Sequence, residues 1–68
     1  MKILIIEDDR VLSNTIAETI GDLFETVQSF DGEEGLYLAQ QNIYDAIILD
    51  IMLPGLNGYE VLKALRNQ

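Results

Sequence analysis

Two short aliphatic runs punctuate this chain, Ile3-Leu4-Ile5-Ile6 and Ala46-Ile47-Ile48-Leu49, and each stops abruptly at acid. Glu7-Asp8-Asp9 follows the first and Asp50 the second. Unbroken runs rich in β-branched residues suit strands covered on both faces, so we read both as buried parallel strands, the first of them central. From Arg10 the period changes. Leu12, Ile16, Ile20 and Leu23 recur every three or four residues, which predicts an amphipathic, sheet-packing helix capped by Asp9 and ending near Gly21 to Phe24. Thr26-Val27-Gln28-Ser29-Phe30 alternates as an outer strand does. Asp31-Gly32-Glu33-Glu34 has the form of a capping box and opens a second helix with Leu36, Ala39 and Ile43 toward the sheet, closed by Asn42 and Tyr44-Asp45. Asn57 stands three residues before Glu60 as a further cap, and Val61, Leu62 and Leu65 give a third helix its apolar face. The order β-α-β-α-β-α with short connections predicts an α/β fold, an open parallel sheet with helices on its faces.

Composition narrows the chemistry. The chain has 68 residues, 49% hydrophobic, with no Cys and no His. That length corresponds to one small domain or part of one, hiding only about 60% of the surface of its unfolded chain, so an oligomer or a bound ion is expected to assist the core. Disulfides, thiolate metal sites, most zinc chemistry and every Ser-His or Cys-His mechanism are excluded. Twelve acids against four bases give a formal charge of −8, which argues against direct nucleic-acid binding or contact with an anionic membrane. No apolar run is long enough to span a bilayer and no secretory signal follows Met1, so a cytoplasmic protein is expected. Neither a Gly-x-Gly-x-x-Gly fingerprint nor a P-loop occurs, and Met52 and Pro54 contradict the Asp-x-Asp-x-Thr or Val start of phosphatase-like hydrolases.

Ligands of open parallel sheets sit outside the carboxyl ends of the strands. If the first and third strands are neighbours, Glu7, Asp8 and Asp50 converge there. Carboxylates about 5 Å apart repel by roughly 1 kcal/mol in water and about 3 kcal/mol at an effective dielectric of 20. A cation relieves this, and an all-oxygen donor set selects a hard ion such as Mg²⁺. Taken singly, Glu7-Asp8-Asp9 is a strand end plus a helix cap, and Asp50 a turn residue before Pro54-Gly55; taken together they favour a site. Pro54 fixes φ just after the strand, while Gly55 and Gly58 permit a tight loop. Tyr37, Tyr44 and Tyr59 are assigned to packing or surface.

Ile3-Leu4-Ile5-Ile6-Glu7-Asp8-Asp9, followed by Ile48-Leu49-Asp50-Ile51-Met52-Leu53-Pro54-Gly55-Leu56-Asn57-Gly58, resembles the receiver domain of two-component response regulators. The Met-Leu-Pro and Gly-Tyr-Glu-Val-Leu-Lys wording is similar to regulators of the winged-helix DNA-binding class. The resemblance implies a truncated flavodoxin-like fold with parallel strand order 2-1-3, residues 1–68 forming the N-terminal part of a receiver whose last two strands and helices are absent. It implies that Asp50 is the nucleophile accepting a phosphoryl group from a sensor histidine kinase, in a phosphoacceptor signalling domain rather than a turnover enzyme, controlling a transcriptional output domain. Asp8 and Asp50 would bind Mg²⁺ directly, Glu7 through water, and Met52 by its backbone carbonyl. The Ser or Thr, the Lys and the aromatic switch residue of a complete receiver are not present, and Lys63 and Arg66 fall on the third helix and do not replace them. The expectation is therefore weak Mg²⁺ binding and poor phosphoryl uptake by these 68 residues, and a homo-oligomer formed through a bare third-strand edge. The alternative is a receiver-derived fragment with a structural, self-associating role.

Overall fold

The computed structural model describes residues 1–50, 52 and 56–66. The elements are β1 (Lys2–Ile6), α1 (Arg10–Ile20), β2 (Glu25–Ser29), α2 (Gly32–Ala39), β3 (Ala46–Leu49) and α3 (Gly58–Arg66). The three strands form one parallel sheet in the order β2-β1-β3. The central strand carries the core. Leu4, Ile5 and Ile6 are completely buried, each contributing about 1.5–3 kcal/mol of apolar burial.

Alternation along the strands divides this core between two faces. Leu4 and Ile6 join Ala39 of α2 and Val61 of α3, flanked by Val27, Leu36, Tyr44, Leu49, Leu56 and Leu65. Ile5 points the other way, in register with Gln28, whose Nε2 donates to Ser13 Oγ of α1 at 2.8 Å and to Asn14 Oδ1 at 2.9 Å. A fully buried serine thus ties α1 to β2, with its hydroxyl satisfied as burial of a polar group requires.

All three helix starts carry the expected caps. Asp9 Oδ1 accepts from Leu12 N at 3.1 Å, Asp31 Oδ1 from Glu34 N at 2.8 Å and Asn57 Oδ1 from Glu60 N at 3.0 Å. Two glycines allow α2 its position. A Cβ on Gly32 would collide with the Leu56 carbonyl, and one on Gly35 would lie 2.7 Å from Ile6 Cγ2, so α2 rides directly against β1 and the segment entering α3.

Several expectations are corrected. The second helix ends at Ala39, where Gln41 N and Asn42 N close the last turn and Asn42 takes φ 58°, a left-handed conformation that Asn tolerates. Ile43 therefore lies beyond the helix and is 53% exposed, rather than packed on the sheet. In the first stripe Ile16 and Ile20 are half-buried, but Leu12 is exposed and Leu23, outside the helix, is 77% exposed. The third strand is not buried: Ile47 and Ile48, on opposite faces, are 36% and 38% exposed, because among the described residues β3 pairs on one side only. Tyr37 and Tyr59 are exposed, and Tyr44 packs beside the core with Lys2 Nζ 5.8 Å from its ring. The Pro54-Gly55 turn lies outside the described residues. No helix among them is long and apolar enough to cross a membrane.

Candidate metal centre

The two aliphatic strands deliver their acids to one edge because β1 and β3 are parallel neighbours in register, Ile6 beside Leu49. The ladder continues into the acids themselves. Glu7 N donates to Ser29 O at 3.0 Å on the β2 side, and Asp50 N donates to Ile6 O at 2.9 Å on the β3 side. Sheet hydrogen bonds thus locate both backbones. Each of Glu7, Asp8 and Asp50 places a carboxylate oxygen within 4.8 Å of the others. Glu7 is buried, Asp8 exposed and Asp50 half-buried.

The neighbouring acid and the next loop residue are placed differently. Asp9 turns its carboxylate into α1 as a cap, and its backbone N–H donates to Glu7 Oε2 at 3.1 Å. Met52 N donates to Asp50 Oδ1 at 3.1 Å, which orients the Asp50 carboxylate, while the Met52 side chain is 80% exposed. The carboxyl of Glu7 is held above the usual glutamate range, chiefly because burial penalises its charged form. The Asp9 N–H opposes this, whereas hydrogen bonding to the Asp50 and Asp8 carboxylates and the Asp50 charge reinforce it.

The donor set fits a hard divalent ion. Two oxygens bound to one ion at about 2.1 Å stand roughly 3 to 4 Å apart, so three oxygens within 4.8 Å need only a small contraction to share it. No Cys or His competes for a softer metal. Such an ion would compete with protonation of Glu7, since it favours ionised carboxylates around it.

One neighbour of the cluster escaped the sequence reading. Arg10, the first residue of α1, lays its guanidinium on Phe30, directly after β2, with 4.1 Å between the guanidinium carbon and the ring centroid. The signal available was a lone base immediately after three acids; its aromatic partner twenty residues on has no pattern in the chain.

Comparison with known proteins agrees with this architecture. The chain is 52% identical over 68 residues to the transcriptional regulatory protein CiaR of Streptococcus pneumoniae, covering 100% of this chain and 30% of that protein. It is 42% identical over 67 residues to the transcriptional regulatory protein HprR of Escherichia coli, covering 97% of this chain and 30% of that protein. The chain thus spans about a third of the length of these curated relatives. Among solved structures, the receiver domain of Francisella response regulator 1452 superposes with a TM-score of 0.93 at 38% identity, over 98% of this chain and 56% of that one. The response regulator TrrA of Thermotoga maritima, solved in complex with Mg²⁺–BeF, gives 0.90 at 31% identity over 97% and 58%. The family model for the response regulator receiver domain matches residues 3–68, and with the 2-1-3 parallel sheet and its acid-bearing strand ends this shows that the chain belongs to the response regulator receiver domain family.

Proposed function

We propose that this chain is the N-terminal part of a cytoplasmic phosphoacceptor receiver, in which Asp50 takes a phosphoryl group from a sensor histidine kinase in a Mg²⁺-dependent reaction. In the parent protein this controls a transcriptional output domain. The observation that carries the reading is the convergence of Glu7, Asp8 and Asp50 at the sheet edge. Asp8 and Asp50 bind Mg²⁺ directly in this reading, Glu7 acts through water and Met52 contributes its backbone carbonyl. When bound, the ion neutralises charge on the phosphoryl oxygens and aligns the transfer.

The residues of the chain do the rest. An Asp50 oxygen forms the new P–O bond as the P–N bond to the kinase imidazole breaks; the electron pair leaves on the ring nitrogen, which takes a proton from solvent. The Met52 N–H donates to Asp50 Oδ1, which fixes the orientation of the carboxylate that attacks. Glu7, buried against the sheet, supplies negative charge that keeps the ion at the rim. The test is incubation with acetyl phosphate and Mg²⁺, read by intact mass. A gain of one phosphoryl group in a small fraction of these 68 residues' chains, in keeping with poor uptake, absent in Asp50→Asn and absent with chelator, is expected; labelling that survives Asp50→Asn refutes the assignment.

The exposed edge supports a second element of the reading. Ile47 and Ile48 stand half-open on the two faces of β3, and an uncharged strand edge is a template for another strand. These 68 residues are accordingly proposed to self-associate through β3. A well-folded monomer in sedimentation at micromolar concentration refutes this.

A further inference from the structure

The acid-bearing edge of the sheet carries one cation among the described residues. Lys2 opens β1 at the opposite edge, and Lys63 and Arg66 lie in the later turns of α3, which runs away from the rim. Among the described residues Arg10 is the base that follows a strand's carboxyl end, the edge to which Glu7, Asp8, Asp9, Asp31 and Asp50 also belong. Its placement is costly for a helix, because a cation at an N-terminus opposes the helix dipole. The contact the structure gives it is the ring of Phe30.

A guanidinium lying on a ring is fixed in its plane while the N–H groups along its edge stay available, and that fork matches the oxygens of a phosphoryl group. Phe30 is itself anchored, since Ser29 before it accepts from Glu7 N and is completely buried. The pair therefore stands on the β2 side of Glu7, with Asp50 on the β3 side. Neighbouring strands are about 4.8 Å apart, so the two strand ends lie about 10 Å from each other across the acid cluster.

We propose that Arg10, placed over the Phe30 ring, is the receiving contact for the oxyanions of a phosphodonor on its way to Asp50, offsetting the repulsion of a strongly acidic rim. The proposal rests on the reading of Asp50 as phosphoacceptor. Its ligand chemistry is the phosphoryl oxyanion, whether on a small acyl phosphate or on a kinase phosphohistidine.

The test measures the second-order rate of Mg²⁺-dependent labelling for wild type, Arg10→Ala, Arg10→Lys and Phe30→Leu, with acetyl phosphate in one arm and phosphorylated kinase in the other. A unit charge about 5 to 10 Å from a dianion, partly screened, changes the encounter about two- to fivefold. Arg10→Ala is expected to slow labelling by about that factor in at least one arm, and the deficit shrinks as salt is added. Arg10→Lys keeps part of the rate and Phe30→Leu loses part. Mg²⁺ affinity is unchanged or tighter in Arg10→Ala, which separates this role from support of the metal site. Equal rates for wild type and Arg10→Ala in both arms, or a loss explained by weaker Mg²⁺ binding, overturn the proposal. If the wild type itself is not labelled, the reading of Asp50 fails, and the contact is judged separately by titrating phosphonoacetate while following the Arg10 Nε–H resonance. A shift there sustains the contact and its absence ends it.

Discussion

Asp50→Asn is the most informative single change, because asparagine preserves the Oδ1 that accepts from Met52 N while deleting the charge that faces Glu7 and Asp8. Two unit charges 4.8 Å apart repel by about 0.9 kcal/mol in water and about 3.5 kcal/mol at an effective dielectric of 20. Asp8 is exposed, so its share lies near the lower figure. Glu7 is buried, but its raised proton affinity already relieves part of that pair. The net gain expected for metal-free Asp50→Asn is therefore about 1–2 kcal/mol. In a domain of this size each kilocalorie moves the melting temperature by about 4–8 °C, so Tm rises by about 4–16 °C. The wild type is expected to make up most of this difference on adding Mg²⁺, gaining about 1.4 kcal/mol at ten times the dissociation constant. Differential scanning fluorimetry with and without Mg²⁺, in NaCl of matched ionic strength, measures both effects. The reasoning is refuted if Asp50→Asn melts at or below the wild-type temperature without metal, or if Mg²⁺ stabilises the two proteins equally.

Three further outcomes follow from the same geometry. Glu7 holds its proton more tightly folded than unfolded, so the metal-free protein should lose stability as pH rises from the ordinary glutamate range through the raised value of Glu7, and lose no more beyond it. Urea unfolding across that window should show the decline in wild type and a flatter profile in Glu7→Gln. Gly35→Ala should cost about 1–3 kcal/mol in urea unfolding, because the new methyl meets Ile6, which is completely buried and cannot yield. Asp31→Ala should cost about 1 kcal/mol in the same measurement by removing the cap on Glu34 N.

The strands, caps and acid positions were legible because each depends on local chemistry. Four mostly β-branched aliphatics ended by acid suit a strand end, and Asp9, Asp31 and Asn57 announce helices by offering an oxygen three residues ahead. What escaped depends on long-range context. Burial of Ile47 and Ile48 is decided by whether anything pairs beyond β3, which four aliphatic residues do not reveal. Ile43 fitted the helical period of Leu36 and Ala39, yet the backbone turned left-handed at Asn42 one residue earlier. The convergence of positions 7, 8 and 50 needed the order β2-β1-β3, and that came from a family likeness, since periodicity alone leaves neighbour order open. Arg10 and Phe30 meet only because β1 and β2 end side by side.

The amides of Glu7 and Asp50 are both tied to carbonyls of adjacent strands, which has a bearing on how the pocket behaves while empty. Crowded charges on a loop would simply drift apart and dissipate their tension, leaving a floppy site that an incoming ion must reassemble. Here the anchors are rungs of the sheet, so the tension stays stored at ångström scale until a proton or an ion discharges it. Slow amide exchange at these two residues, unchanged by the ion, would be the sign of a pocket built in advance.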